Sequence, residues 1–120
     1  MASVDHKPLV AWQKSMVLVE RVYRVTACFP PEEIYGLSNQ LRRAAVSIPS
    51  NIAEGQGRDG RVEFDRFLRI ASGSRQEVET PLIIAARLGY LNDSKLDVMV
   101  EMVEEIGRII AGLRRSLQKR

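Results

Sequence analysis

Two rows of hydrogen-bonding side chains hold most of the chemistry that this sequence offers. Gln40, Arg43, Ser47, Asn51 and Glu54 recur at steps of three and four, so on a helix they lie along one side. Arg69, Ser72, Gln76 and Glu79 keep the same rhythm and form an answering row. Solvated faces are normally rich in Lys and Glu, whereas Ser47, Asn51, Ser72 and Ser74 are short and uncharged, which suits close approach of another helix. Gln40, Arg43, Ser47, Asn51, Glu54, Ser72, Gln76 and Glu79 are therefore expected at a subunit interface or in a polar layer between two helices. A plain solvated face is the competing assignment. Pairing of Arg42 or Arg43 with Glu77 or Glu79 would balance the charge of such a layer.

A second constellation is basic. Arg58, Arg61, Arg66 and Arg69 fall within a little under half the circumference of a helix start, where they could meet a phosphate backbone together with Arg42 and Arg43. Trp12, Tyr23, Phe64 and Phe67 sit on apolar seams, so no aromatic interleaving marks a base-stacking surface. RNA or DNA, if bound, is expected through its phosphates with little sequence preference. The competing assignment is a solvated face whose charges complement helix ends. Arg108, Arg115 and Lys119 lie opposite an apolar seam and are expected to point outward.

Reactive groups are sparse. His6 is the only histidine and falls in a segment expected to be a loose tail, where a general base has no fixed position. Cys28 is the only cysteine, which rules out an internal disulfide and any multi-cysteine metal site; it is expected in the core. Glu54, Glu77 and Glu79 lack the Glu-x-x-His partner that di-metal helical sites use. The run Gly55-Gln56-Gly57-Arg58-Asp59-Gly60 follows a helix and contains no lysine, so it reads as a turn rather than a phosphate loop. No enzymatic activity and no cofactor are expected.

Four amphipathic segments must position these groups. Leu9, Trp12, Met16, Val19, Tyr23 and Thr26 mark the apolar face of a helix over about 8–29, stopped by Pro30-Pro31. A second helix over about 32–56 carries Ile34, Leu37, Leu41, Ile48 and Ile52, with Pro49 expected to bend it or restart it after Ser47. A third, over about 60–88, is capped in the neighbourhood of Asp59, carries Phe64, Phe67, Leu68, Ala71, Val78, Leu82, Ala85 and Leu88, and is interrupted by Pro81. Ser94 and Asp97 form a capping-box pattern for the fourth, over about 93–118, with Leu96, Met99, Val100, Val103, Ile106, Ile110, Leu113 and Leu117 inside. Short turns between such helices force neighbours to run in opposite directions, so the spacing predicts an all-α, antiparallel up-and-down four-helix bundle in one domain of residues 1–120.

The run Arg42-Arg43-Ala44-Ala45-Val46-Ser47-Ile48-Pro49-Ser50-Asn51-Ile52-Ala53-Glu54-Gly55, together with Phe67 to Glu79 and Ala86-Arg87-Leu88-Gly89-Tyr90-Leu91, resembles the four-helix-bundle proteins encoded in intervening sequences of bacterial 23S ribosomal RNA genes. Phe29-Pro30 and Ile34-Tyr35-Gly36-Leu37 extend the likeness over nearly the whole chain. The resemblance implies the same bundle, a closed ring that is pentameric in some relatives, and no established catalysis. Accessory proteins of diversity-generating retroelements are distant relatives with that bundle, and they bind nucleic acid and a reverse transcriptase. A non-catalytic oligomeric module that associates with nucleic acid through a phosphate-binding basic surface is the expected function, and a protein-interaction scaffold without affinity for nucleic acid is the alternative.

Composition agrees with an ordinary globular protein. Of 120 residues, 45% are hydrophobic and 28% charged, the net charge is +3, and the pI is near 9.4. That balance leans toward anionic partners without demanding them. No apolar run approaches the roughly 20 residues that cross a bilayer, and the first residues lack a basic-then-apolar signal pattern, so a cytoplasmic protein without membrane partners is expected.

Overall fold

The computed structural model describes residues 6–119, with side chains for 8–119. It contains four α-helices: α1 (His6–Thr26), α2 (Leu37–Gln56), α3 (Arg61–Arg87) and α4 (Asp93–Gln118). There is no strand among the described residues. Each helix packs on two others, in the cyclic order α1, α2, α3, α4 and back to α1, so one core runs along the axis of a body 49 × 25 × 21 Å. None of the helices is long and apolar enough to cross a membrane.

The seams of α2, α3 and α4 are those that the spacing predicts, except at Leu88, which the spacing places inside and which is exposed because α3 ends at Arg87 and Leu88 is its C-cap. Leu41, Ala45, Ile48 and Ile52 of α2, Leu68, Ala71, Val78, Leu82 and Ala85 of α3, and Met99, Val103, Ile106, Ile110 and Leu113 of α4 are all buried. Removing any of the leucines or isoleucines would cost about 2–5 kcal/mol through lost transfer energy and the cavity left behind.

On α1 the core-facing row is displaced by one residue from the expected one. Ala11, Ser15, Leu18 and Val22 are buried, while Leu9, Trp12 and Tyr23 are exposed; of the expected row Thr26 is buried and Val19 packs partly against the core. Small side chains at 11 and 15 let α1 close on its neighbours, and the Ser15 hydroxyl is satisfied by the Ala11 carbonyl at 2.7 Å. The bulkier row is left outside. The helix starts at His6, inside the expected tail; the His6 side chain and residues 1–5 lie outside the described residues.

Helix ends also differ from expectation. α1 stops at Thr26, and its chain tightens into three-residue hydrogen bonds, from Cys28 N to Val25 O and from Phe29 N to Thr26 O, because Pro30 denies Phe29 a helical backbone. Residues Pro31–Glu33 form a separate 3₁₀ turn rather than the first turn of α2, and Ile34 is half exposed instead of in the core. The Glu33 carboxylate explains the break: one oxygen accepts from Leu37 N at 3.0 Å, capping α2 from outside, and the other accepts from the Tyr90 hydroxyl at 3.0 Å. α3 is preceded by Gly60 at φ +89°, a backbone only glycine adopts readily, and Asp59 supplies no side-chain cap. For α4 the cap is Asn92, whose side chain accepts from Lys95 N at 2.8 Å, and not Ser94. Pro49 and Pro81 are both buried inside helices that continue through them, so α2 does not restart after Ser47.

Candidate interaction site

The polar rows of α2 and α3 separate into three environments. Ser47 and Ser74 meet between the helices with their hydroxyls 2.8 Å apart, and Asn51 donates to the Ser47 hydroxyl at 2.9 Å and to the Ser47 carbonyl at 2.8 Å. This is a satisfied polar layer within one chain. Gln40 and Arg43, farther out, line a groove of about 830 Å³ together with Gly73, Gln76, Glu77, Thr80 and Ile84. Ser72 and Glu79 lie elsewhere: they follow Asp65 at steps of seven on α3, and Asp65 accepts from Arg114 of α4, so these two belong to the α3–α4 side. Glu54 joins neither group and pairs instead with Arg58 at 2.9 Å.

Around Arg43 several apolar side chains are exposed. Two further grooves, of about 570 and 560 Å³, share Arg43 with the first, and Tyr35 lines both. Tyr35 is 91% exposed, and Leu88, Ile34, Tyr23, Ile84 and Val46 surround it with 39–55% of their surface open. The exposed residues of α2 are Asn39, Gln40, Arg43, Val46, Ser50, Ala53, Glu54 and Gln56, of which Arg43 and Glu54 are charged and Glu54 is paired with Arg58. Arg43 has no hydrogen-bond or ion-pair partner among the described residues, and neither has Glu77 in the same groove. The expected pairing of Arg42 or Arg43 with Glu77 or Glu79 is thus absent.

The other candidate phosphate contacts are held within the chain. Arg42 donates to the Thr26 hydroxyl at 2.8 Å and stacks 4.7 Å from the Tyr23 ring, which locks α2 to the end of α1. Arg58 pairs with Glu54, Arg66 with Glu63 at 3.2 Å, and Arg69 with Asp65 at 3.5 Å. Arg58 and Arg66 also lie over the Phe67 ring at 5.1 and 4.5 Å. Arg61 donates to the Lys119 carbonyl at 2.7 Å, so the start of α3 grips the end of α4. Hydrogen bonds from Arg66 hold the Glu63 carboxyl below the usual carboxylate range and raise the guanidinium in return. The Glu33 contact, then burial, pushes the Tyr90 hydroxyl up.

Cys28 is exposed rather than in the core, with its thiol 3.8 Å from the Arg24 carbonyl. Among the described residues no three His, Cys, Asp or Glu side chains converge to hold a metal ion. The exposed apolar residues around Arg43 escape a sequence reading because Tyr35 lies before α2 whereas Ile84 and Leu88 lie one turn apart at the end of α3, about fifty residues away. Only the 3₁₀ turn, which moves Ile34 and Tyr35 out of α2, brings them together.

No curated protein sequence matches the chain. A crystal structure from Bacteroides thetaiotaomicron VPI-5482, described as a protein with unknown function from the S23 ribosomal protein family, superposes with a TM-score of 0.83 over 91% of this chain and 98% of that one. Its sequence identity is 23%, so the likeness concerns the fold alone. The model of the family described as 23S rRNA-intervening sequence protein matches residues 7–112. With its sequence matched over that span, the chain belongs to the 23S rRNA-intervening sequence protein family.

Proposed function

We propose that the protein acts by binding, not catalysis, and that its first partner is another copy of itself, docked on the surface around Arg43. In this proposal the helices form an up-and-down bundle, supported by the grip of Arg61 at the start of α3 on the end of α4 and by the Tyr90–Glu33 tie between the end of α3 and the approach to α2. The single observation that carries self-association is the groove in which Arg43 and Glu77 stand unpaired amid exposed Tyr35, Ile84 and Leu88. An apolar surface of this kind is costly to leave in water, and a cation and an anion on one groove are complementary to those of a second copy. Repetition of the contact closes a ring when the rotation between copies allows it, and the family resemblance favours a pentamer. Cys28, left as a free thiol, suits the cytoplasm.

Charge exchange tests the contact. Arg43→Glu and Glu77→Arg should each lower the mass seen by light scattering at micromolar concentration, and the double variant should restore it. If Arg43→Glu leaves the mass unchanged, the groove is not the interface.

Nucleic acid as a further partner is supported by the band Arg58, Arg61, Arg66 and Arg69 at the start of α3, all exposed. Arg58 and Arg66 hold surface carboxylates, and exposed pairs contribute only about 0–1 kcal/mol each, so a phosphate could displace the acid at little cost. Binding of labelled RNA, duplex DNA and a single strand should then weaken steeply with salt and fall in Arg58→Ala with Arg61→Ala. Flat anisotropy at every salt concentration would leave a protein scaffold as the function.

A further inference from the structure

At the opposite end of α1 from its start, the helix meets the beginning of α4 and leaves a pocket of about 340 Å³ between them. Its lining includes three cations, Arg21, Arg24 and Lys95, and three apolar residues, the exposed Val98, the half-buried Val25 and the buried Met99. The Ser94 hydroxyl is the remaining polar group. We propose that this pocket binds a phosphate monoester carried on a small apolar or aromatic body.

Three observations carry the assignment. The first is the absence of a counter-ion: no carboxylate lines the pocket, and none of the three cations has an ion-pair partner among the described residues. Unpaired cations occur elsewhere, Arg43 among them, but none of the three grooves around Arg43 gathers more than two cations, and six other cations do have an acid partner. Lys14 pairs with Glu105, Arg58 with Glu54, Arg66 with Glu63, Arg69 and Arg114 with Asp65, and Arg108 with Glu101.

The second is that the three charges share the site with the positive pole of a 26-residue helix. Lys95 stands in the first turn of α4, where a cation is disfavoured. Its backbone N–H is already taken by Asn92, so the attraction for an anion comes from the side chains more than from the helix end. Like charges gathered without an acid repel one another, and a bound dianion would relieve all of them together.

The third is shape. The volume is at the lower end of pockets that take small ligands, and the lining of two valines and a methionine offers an apolar surface beside the charges. A bare inorganic ion would leave that surface unused. An ester whose organic part rests on Val98 and Met99 would use both halves of the pocket.

The experiment is calorimetric titration with adenosine 5′-monophosphate, with adenosine and inorganic phosphate as partial ligands. Adenosine 5′-monophosphate should bind, adenosine should give no heat, and inorganic phosphate should bind more weakly than the nucleotide. Arg24→Gln and Lys95→Gln, both at exposed positions, should each weaken the nucleotide by at least about tenfold through loss of a charge-assisted contact, while Arg108→Gln should not. Val98→Glu adds the missing counter-ion: it should abolish binding and raise the melting temperature of the ligand-free protein. No binding of the nucleotide at millimolar concentration, or binding that ignores Arg24→Gln and Lys95→Gln, overturns the assignment. A 5′-phosphorylated oligonucleotide that binds better than both the mononucleotide and its 5′-hydroxyl form would support the site and identify a strand end as the source of the phosphate. Equal or weaker binding by that oligonucleotide, with the mononucleotide still bound, supports it with a free metabolite as source. Each result is independent of the mass measurement that tests self-association.

Discussion

Gly55→Ala should destabilise the protein although it replaces a helical glycine by the best helix former. Gly55 is buried near the end of α2, at a close approach of α2 to α3. A Cβ there would stand 2.7 Å from Phe67 Cβ, 3.1 Å from Phe64 Cδ1 and 3.3 Å from the Phe64 carbonyl. Two of those three atoms are fixed by the α3 backbone, so rotation of a side chain cannot relieve the clash and the helices must separate. Overpacking of this kind costs about 1–3 kcal/mol, and backbone-fixed neighbours place it in the upper part of that range. Against it stands a gain of about 1 kcal/mol in helix propensity. The net expectation is a loss of about 1–2 kcal/mol, or a fall in Tm of about 4–8 °C for a chain of this size. Gly73→Ala is the internal control, since a Cβ at Gly73 in α3 meets nothing within 4 Å and the propensity gain should survive as a rise of about 0.5–1 kcal/mol. Urea denaturation of both variants at one low protein concentration reads the difference free of mass action from self-association. A Gly55→Ala protein as stable as the parent would refute the close approach of α2 to α3.

Two further outcomes follow from single groups. Arg75 lies across Gly107 of α4 with its Nε buried and without an acceptor, a condition that costs about 1–3 kcal/mol, so Arg75→Met should raise the urea midpoint by an equivalent of about 1 kcal/mol; a lowered midpoint would mean that the guanidinium has a partner after all. The Tyr90 hydroxyl titrates above its ordinary value of 10.0 because it donates to Glu33. The neutral phenol therefore stabilises the fold at all pH values below about 10, and that contribution disappears as pH rises through the higher folded value. The stability difference between the parent and Tyr90→Phe should be constant from pH 7 to about 10 and shrink above it; a difference that never changes with pH would remove the Tyr90–Glu33 bond from the account.

Legibility in the sequence followed the physics of each element. On α4 one row, Met99 to Leu113, is both the most apolar and the only one that fits the core, so periodicity locates it. On α1 two adjacent rows compete, and hydropathy favours the bulky Leu9, Trp12 and Tyr23, whereas packing selects Ala11, Ser15 and Leu18 because small residues let helices approach. Period alone cannot weigh that. For the site, Ser47 and Asn51 sit where their spacing places them, in a polar layer. Ser72 and Glu79 share the rhythm but look toward α4, since helices of this length present more than one neighbour. Pairs such as Glu54 with Arg58 are local and legible at four residues apart, whereas the partners of Arg61 and Arg114 lie 58 and 49 residues away and depend on the fold.

The cyclic order of helix contacts has a kinetic side. Three of the four seams join helices consecutive in the chain, and only the α1–α4 seam brings together segments separated by the rest of the molecule. Loop closure for the first three is short, so they can zip in sequence and contact order is low, which places folding in the fast regime of helical proteins. The α1–α4 seam must wait for the others and carries the longest closure entropy, and it is also the least extensive of the four. Transient opening there would part α1 from α4 while α1 stays on α2 and α4 stays on α3, so the amides of these two outer helices should exchange before those of α2 and α3, whose seam is the most extensive.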